Sequence, residues 1–405
     1  MNIGMLLNAP YPSDLRVKKE AGALMNAGHR VFLLCLRKSS ELSEELFEGI
    51  QVKRISAGEN NFQLAFWDII MATTGQHPKF KKKIPDWVLQ HKINALHVHD
   101  LPLAGTALAL RTKLNIPIVS DFHENYPDAL EAWFQWKKNW FADLKNKWFM
   151  NPAVWRDHER NATLHSDSVI AVVDEMKSRL IRDYHVDENK ITVVSNLEEL
   201  SFLNQPEDPA IYKNYGGKFI ITYSGNIGPH RGVDTVIDAI GLLKNKPEII
   251  FMVIGSGNDT VMNNLREKVI KQNLENRVIF LGRQPFTKFY SFMKFTDANI
   301  IPHQSNPHTD NTVPHKLFQA MMVGKPVIVS SSAPLKRIVS EYGSGVVFEA
   351  GDQKDLAEKI MKLYQDKSLQ HECGINGKKA TLNGTLNWEN EQEKLVALYS
   401  KLLPL

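Results

Sequence analysis

Cysteine is nearly absent from this 405-residue chain; Cys35 and Cys373 lie far apart and fit no redox or metal-ligand spacing. That excludes a disulfide scaffold and suits a reduced compartment. No run of about 18 apolar residues occurs, which excludes a membrane-crossing helix. The N-terminus, MNIGMLLNAPYPSD, is too short and uncharged for a secretion signal. Net charge is only +4, which excludes a dedicated nucleic-acid binder. There is no Asp-x-Asp pair and no His, Cys or carboxylate group at metal-ligand spacing. The Lys-bearing phosphate loop and the glycine fingerprint of dinucleotide enzymes are missing too, so ATP hydrolysis and hydride transfer lose their support. The expectation is a soluble, cytoplasmic protein, touching the inner face of the membrane at most, with no metal and no cofactor.

What is present is alternation. A chain this long calls for two domains, and 43% hydrophobic with 23% charged residues is a globular composition. NIGMLL, the loop NAPYPSDLRV, the helical KKEAGALMNAGH and RVFLLCL read as a βαβ unit, with Gly28 ending the helix. ALHVHD, IPIVSDFHE, SVIAVV and ITVVSN continue the strands. Residues 197–218, rich in Pro, Gly and charge, read as a linker, after which the alternation restarts at FIITYSGNIG. The expected fold is α/β: a Rossmann-like, doubly wound parallel-sheet domain over 1–205 and a second over 206–385. An amphipathic helix over 386–405 is expected to pack back toward the first domain. Ligands of open parallel sheets bind beyond the carboxyl ends of the strands, so two facing domains predict a cleft. Polar residues do collect just after strands: Asn8–Asp14, His99–Asp100, Asp121–Asn125, Ser224–Arg231, Gly255–Asn258 and His303–Asn311.

Several of these blocks carry chemistry, each with a plainer competitor. YSGNIGPHRG (223–232) sets glycines and Arg231 between a strand and a helix, a phosphate-binding arrangement or a tight βα turn with a surface Arg. VIGSGN (253–258) is weaker, since strand ends carry Gly-Ser-Gly for turn geometry alone. In TVPHKLFQAMMVG, Pro314 opens a helix on which His315 and Gln319 share a face beside Lys316; Leu317, Phe318, Met321 and Met322 form the core side. The helix start is expected to offer N–H groups to an anion. VSDFHENYPD places His123 and Glu124 after a strand, as catalytic groups or as a helix cap. In HVHD, His97 and His99 point the same way; His97 reads as structural, His99 as either. Residues 131–155 hold five of the eight tryptophans with Lys137, Lys138, Lys145 and Lys147, a pattern for an anionic membrane surface or for a packed helix. KFKKKIPDW (79–87) favours the former.

Taken together, HDLPLAGTALAL, SDFHENYPD, YSGNIGPHRGVDTVIDAI, VIGSG and TVPHKLFQAMMVGKPVI resemble the retaining glycosyltransferases of family 4, in order and spacing and over most of the chain. The resemblance implies the GT-B fold, two facing Rossmann-like domains with a cleft between them. It implies a nucleotide-diphospho-sugar donor on the second domain, UDP- ahead of GDP-, and a glycan or lipid-linked hydroxyl acceptor mainly on the first. Donor binding then falls on Gly225, Asn226, Arg231, Gly255, Ser256, Asn311, Thr312, Val313, Pro314, His315, Lys316 and Gln319. His123, Arg231 and Lys316 are the expected catalytic residues; Asp14, Arg16, His99, Asp100 and Glu124 lie on the acceptor side, Glu124 in a structural role. Departures are specific. The family's Arg and Lys phosphate pair falls on Asn226 and Arg231, and its paired glutamates on Asn311 and Gln319. A nucleotide-sugar 2-epimerase shares the fold, but the acidic pair it would need is amidated here. A non-catalytic sugar-nucleotide-binding partner is the alternative that these substitutions keep open.

Overall fold

A computed structural model describes residues 1–38, 40–56, 58, 61–134 and 151–402. Two compact units emerge, Met1–Ser195 with Gln392–Leu405, and Asn196–Glu391. The first is built on eight strands: β1 (Asn2–Pro10), β2 (Arg30–Leu36), β3 (Glu44–Phe47), β4 (Ile50–Ile55), β5 (Ala95–His99), β6 (Ile118–Phe122), β7 (Ser168–Ala171) and β8 (Ile191–Val193). Their order is β3-β4-β2-β1-β5-β6-β7-β8. β5, β6 and β7 are buried at every position, as strands covered on both faces must be. The β3–β4 hairpin, absent from the sequence reading, is antiparallel and turns at Glu48-Gly49, both at positive φ. That is the geometry whose twist suits a two-residue hairpin.

The second unit carries β9 (Phe219–Ser224), β10 (Ile249–Ile254), β11 (Val278–Gly282), β12 (Ala298–Ile301), β13 (Val327–Ser330) and β14 (Gly345–Phe348). All pair in parallel, in the order β11-β10-β9-β12-β13-β14. The β-branched and aromatic side chains of β9, β10 and β12 pack with Val236, Ile240, Leu356 and Ile360 from the covering helices. In both sheets the chain reverses its winding beside the first strand, between β1 and β5 and between β9 and β12. There the loops leaving the carboxyl ends diverge and open a crevice.

The second unit begins at Asn196, about ten residues before the boundary expected at 205/206. Hydrogen bonds explain it: Trp388 N donates to Glu198 O (2.9 Å) and Leu200 N to the Glu389 carboxylate (3.0 Å). The helix Trp388–Leu402 belongs to the first unit from Gln392 onward. Its buried Tyr399 lies parallel to the His97 ring, with the hydroxyl 2.9 Å from His97 Nδ1. KFKKKIPDW lies in the helix Pro78–His91, where Phe80, Ile84 and Trp87 are core residues and Lys81, Lys82 and Lys83 are exposed. Trp155 is buried as well, while Lys137, Lys138, Lys145 and Lys147 lie outside the described residues.

Candidate active site

In the second unit, the loops after β9 and β10 touch backbone to backbone. Ile227 N donates to Ser256 O (3.0 Å) and Gly225 N to Ile254 O (2.9 Å). Gly255 sits at φ +134°, and a Cβ there would lie 1.8 Å from Gly225 O. These glycines are required by the close approach itself, whatever the loops bind. Asn226 is exposed, and its carbonyl accepts from the buried Tyr223 hydroxyl (2.6 Å). The short turn Pro229–Arg231 then points Arg231 toward the end of β12, with Nη1 3.0 Å from His303 Nε2.

Lys316 reaches the same place from the next helix. Its Nζ stands 3.7 Å from the centre of the Tyr223 ring. Neither Arg231 nor Lys316 has a carboxylate partner among the described residues. Burial, and then the charge of Arg231, hold the Lys316 ammonium well below its usual range. Burial, Arg231 and Lys316 in turn drive His303 well below the ordinary imidazole value, and burial with Arg231, His308 and Lys316 takes His230 to about 3. The crevice is therefore electropositive and keeps two cations close without a counter-ion. Such an arrangement favours an anion.

The segment from 303 to 319 departs from expectation. Asn311 is buried and donates from Nδ2 to Pro307 O (2.8 Å); Thr312 Oγ1 donates to His308 O (3.2 Å). Both polar side chains hold their own loop together. The helix runs Lys316–Met322, two residues later than Pro314, with Val313 buried before it. The N–H groups of Leu317, Phe318 and Gln319 are already bonded to Pro314 O and His315 O, so they are not offered to an anion. Leu317, Phe318, Met321 and Met322 are fully buried. Gln319 is buried too, and its Nε2 donates to Glu198 Oε2 (2.5 Å), which also faces His315 Nε2 (3.3 Å). No sequence spacing links residue 198 to 319.

The first unit holds a second polar centre. His97 and His99 on β5 face Asp121 and His123, whose strand lies alongside, and Glu20 comes from the helix Leu15–Asn26. Asp121 Oδ2 receives His123 Nε2 (2.7 Å), His97 Nε2 (3.1 Å) and His99 Nδ1 (3.2 Å). Glu20 Oε2 lies 3.2 Å from His97 Nε2. Burial opposes charge on His97, but hydrogen bonds to Asp121 and Glu20 outweigh it and raise His97 to about 9. Burial and Arg16 oppose charge on His123; Asp121 and Glu20 raise it to about 9 as well. His99, buried beside charged His97, falls to about 3 and is neutral. Burial would raise Asp121, yet the three histidines hold it well below the usual range. At the rim, Arg16 grips Asp14 with Nε and Nη2 (3.0 and 2.7 Å) and lies 3.6 Å from Asp100.

Glu20, His99, Asp121 and His123 bring four donor atoms within 4.8 Å, a constellation of metal-ligand type that linear spacing hides because it comes from three elements. Asp121, His99 and His123 lie 2.7–3.3 Å from one another, while Glu20 stands 3.8 Å from both of these histidines, and Glu20 Oε2 and His99 Nε2 are buried without a hydrogen-bond partner within this set. The sequence reading omitted Glu20 and Asp121 from the site. The period-2 alternation that pairs His97 with His99 also pairs Asp121 with His123, and was the available signal for the latter. Glu124 is half-buried, and its charge acts on the neighbouring Arg16.

Comparisons with known proteins agree with this architecture. Residues 16–197 match glycosyltransferase family 4, and residues 204–380 match glycosyl transferases group 1. An uncharacterised glycosyltransferase of Methanocaldococcus jannaschii is 27% identical over 298 residues, covering 73% of this chain and 72% of that one. The capsular polysaccharide biosynthesis glycosyltransferase CapM of Staphylococcus aureus is 25% identical over 257 residues, 60% of this chain and 64% of that one. Among solved structures, sucrose-phosphate synthase from Thermosynechococcus elongatus superposes with a TM-score of 0.79 at 16% identity, covering 99% of both chains. Anabaena HepE in complex with UDP-glucose gives 0.74 at 16% identity, covering 99% of this chain and all of that one. At these identities the structural likeness establishes the fold, GT-B, while the two sequence matches together span most of the chain: it belongs to the family 4, group 1 glycosyltransferases.

Proposed function

We propose that this protein is a retaining glycosyltransferase that moves a sugar from a nucleotide-diphospho-sugar to a hydroxyl acceptor in polysaccharide or glycolipid assembly. The observation that carries the donor assignment is the pair Arg231 and Lys316, converging at the β9/β12 crevice with no carboxylate among the described residues to neutralise them. A diphosphate supplies the missing charge. A UDP-sugar is the favoured donor, because the HepE fold was solved with UDP-glucose. In the transfer, the bond from the anomeric carbon to the diphosphate oxygen breaks and a bond to the acceptor oxygen forms on the same face. The acceptor's proton passes to the departing diphosphate. Negative charge grows on that leaving group, where Arg231 and Lys316 stabilise it.

His123 enters as a hydrogen-bond donor. With its imidazole raised to about 9 by Asp121, it is an imidazolium at neutral pH and has no lone pair with which to take a proton. Its role is to hold a sugar or acceptor oxygen. Arg16, fixed by Asp14, lies beside it for a polar acceptor group. Peripheral contact with anionic lipid through residues 131–155 rests on the Trp and Lys pattern alone.

Binding is tested first with a panel of UDP- and GDP-sugars by thermal shift. The expected result is stabilisation by a UDP-sugar that disappears in Arg231→Ala. Stabilisation by none of them, or undiminished in the variant, sinks the assignment.

A further inference from the structure

We propose that Glu198 is a positioning residue that locks Gln319 so that its carbonyl oxygen, and not its amide nitrogen, reads a hydroxyl of the donor; the idea rests on the donor assignment above. Glu198 is buried at 6% exposure and lies in the segment that opens the second unit. Its Oε1 accepts from Glu199 N (2.9 Å), and its Oε2 accepts from Gln319 Nε2 (2.5 Å) and faces His315 Nε2 (3.3 Å). Burial would raise this carboxyl, but the contacts with His315, Gln319 and the Glu199 N–H hold it below the usual range.

An ionised carboxylate has no proton to give. The Gln319 group set against it must therefore be the NH2, which turns the carbonyl oxygen the other way. That oxygen takes no hydrogen bond among the described residues. It can only accept, so the ligand group it suits is a donor: a hydroxyl, not a phosphate oxygen or a carboxylate. Lys316 lies three residues earlier on the same helix, one turn away. One short helix thus separates two tasks, charge recognition at Lys316 and hydroxyl recognition at Gln319.

The pairing also changes the expected effect of an acidic residue at 319. From sequence, Gln319→Glu is expected to change donor affinity within about tenfold in either direction. In the structure it sets a second carboxylate against Glu198, inside the fold and within contact distance. Like charges so placed repel strongly. The negative charge at this site stands at residue 198, and only one of the two positions tolerates it at a time.

Isothermal titration with UDP and with inorganic pyrophosphate tests this on wild type, Glu198→Gln, Gln319→Glu and the double variant. Glu198→Gln frees the 319 amide to flip, and is expected to weaken UDP about tenfold while pyrophosphate stays within about twofold. Gln319→Glu should weaken UDP about 100-fold. The double variant restores one carboxylate facing one amide and should return to within about threefold of wild type. It also guards against a single variant that fails to fold. The inference is overturned if Glu198→Gln binds UDP like wild type, if UDP and pyrophosphate weaken together, or if the double variant is no better than Gln319→Glu. Wild type binding neither ligand would instead refute the donor assignment, and this inference with it.

Discussion

Lys316→Met separates a binding cation from a structural one. Methionine keeps the stem that packs against Tyr223 and removes the charge. In the free protein two effects oppose. The ammonium's contact with the Tyr223 ring, at 3.7 Å from its centre, is lost, at a cost of about 0.5–2 kcal/mol. Against that, a buried cation repelled by Arg231 disappears, and its lowered pKa shows that the site disfavours it. The two oppose each other, so the melting temperature should move by no more than about 4 °C either way, about 1 kcal/mol for a domain of this size. In the complex there is no such offset. One charge-assisted contact to the diphosphate is worth about 1.5–3 kcal/mol, which is about 10- to 150-fold in Kd. Calorimetry with UDP and with uridine, beside a melting curve of each free protein, measures all three quantities. UDP should weaken by that factor and uridine should not change. Unchanged UDP affinity together with a fall of more than about 8 °C would show that Lys316 is an anchor on Tyr223.

Three further outcomes follow from the same geometry. An anion favours the charged form of Lys316, whose pKa in the free protein lies below the usual value; UDP binding should therefore move that pKa back up, with proton uptake in the range where the free ammonium titrates, and affinity should fall as pH rises through that range. Titration in two buffers of different ionisation enthalpy checks this, and no proton uptake contradicts it. In the first unit, His97 and His123 are raised to about 9, so their stabilisation is complete below about pH 6.5 and is lost as pH climbs toward 9. His99, lowered to about 3, costs stability as pH falls below 6.5, so the melting temperature should peak near pH 6.5; Asp121→Asn should flatten the alkaline side, and an unaltered slope would refute the network. Gly255→Ala should cost about 3 kcal/mol or more in urea unfolding, because its Cβ would meet Gly225 O at 1.8 Å with φ at +134°; wild-type stability would show that the loops can part.

The alternation of apolar strands and amphipathic helices was legible because each signal is local. β1, β9 and β10 fall where unbroken apolar runs end in polar loops. Arg231 was legible for a related reason, since it lies in the loop that follows β9, where this topology places ligands; Lys316, at the start of the helix before β13, was named from its motif. The β3–β4 hairpin was missed because EELF and IQVKRI are short and mixed in polarity. Glu198 and Glu20 were illegible on other grounds. Each acts through partners far away in the chain, Glu198 on Gln319 and Glu20 on His97, His99 and His123, and only the folded chain sets those distances. Asn311 was named from its place in a motif; that its amide also closes its own loop on Pro307 is a contact that spacing does not show.

The central claim is sugar transfer with retention, and it is tested most directly by the configuration of the sugar first released. Proton NMR follows an α-linked UDP-sugar as the enzyme cleaves it with water as the acceptor, before the free sugar mutarotates. The account predicts that the α anomer appears first, together with UDP in equal amount. Initial appearance of the β anomer, or no cleavage of any UDP- or GDP-sugar by protein that binds the nucleotide, would contradict it.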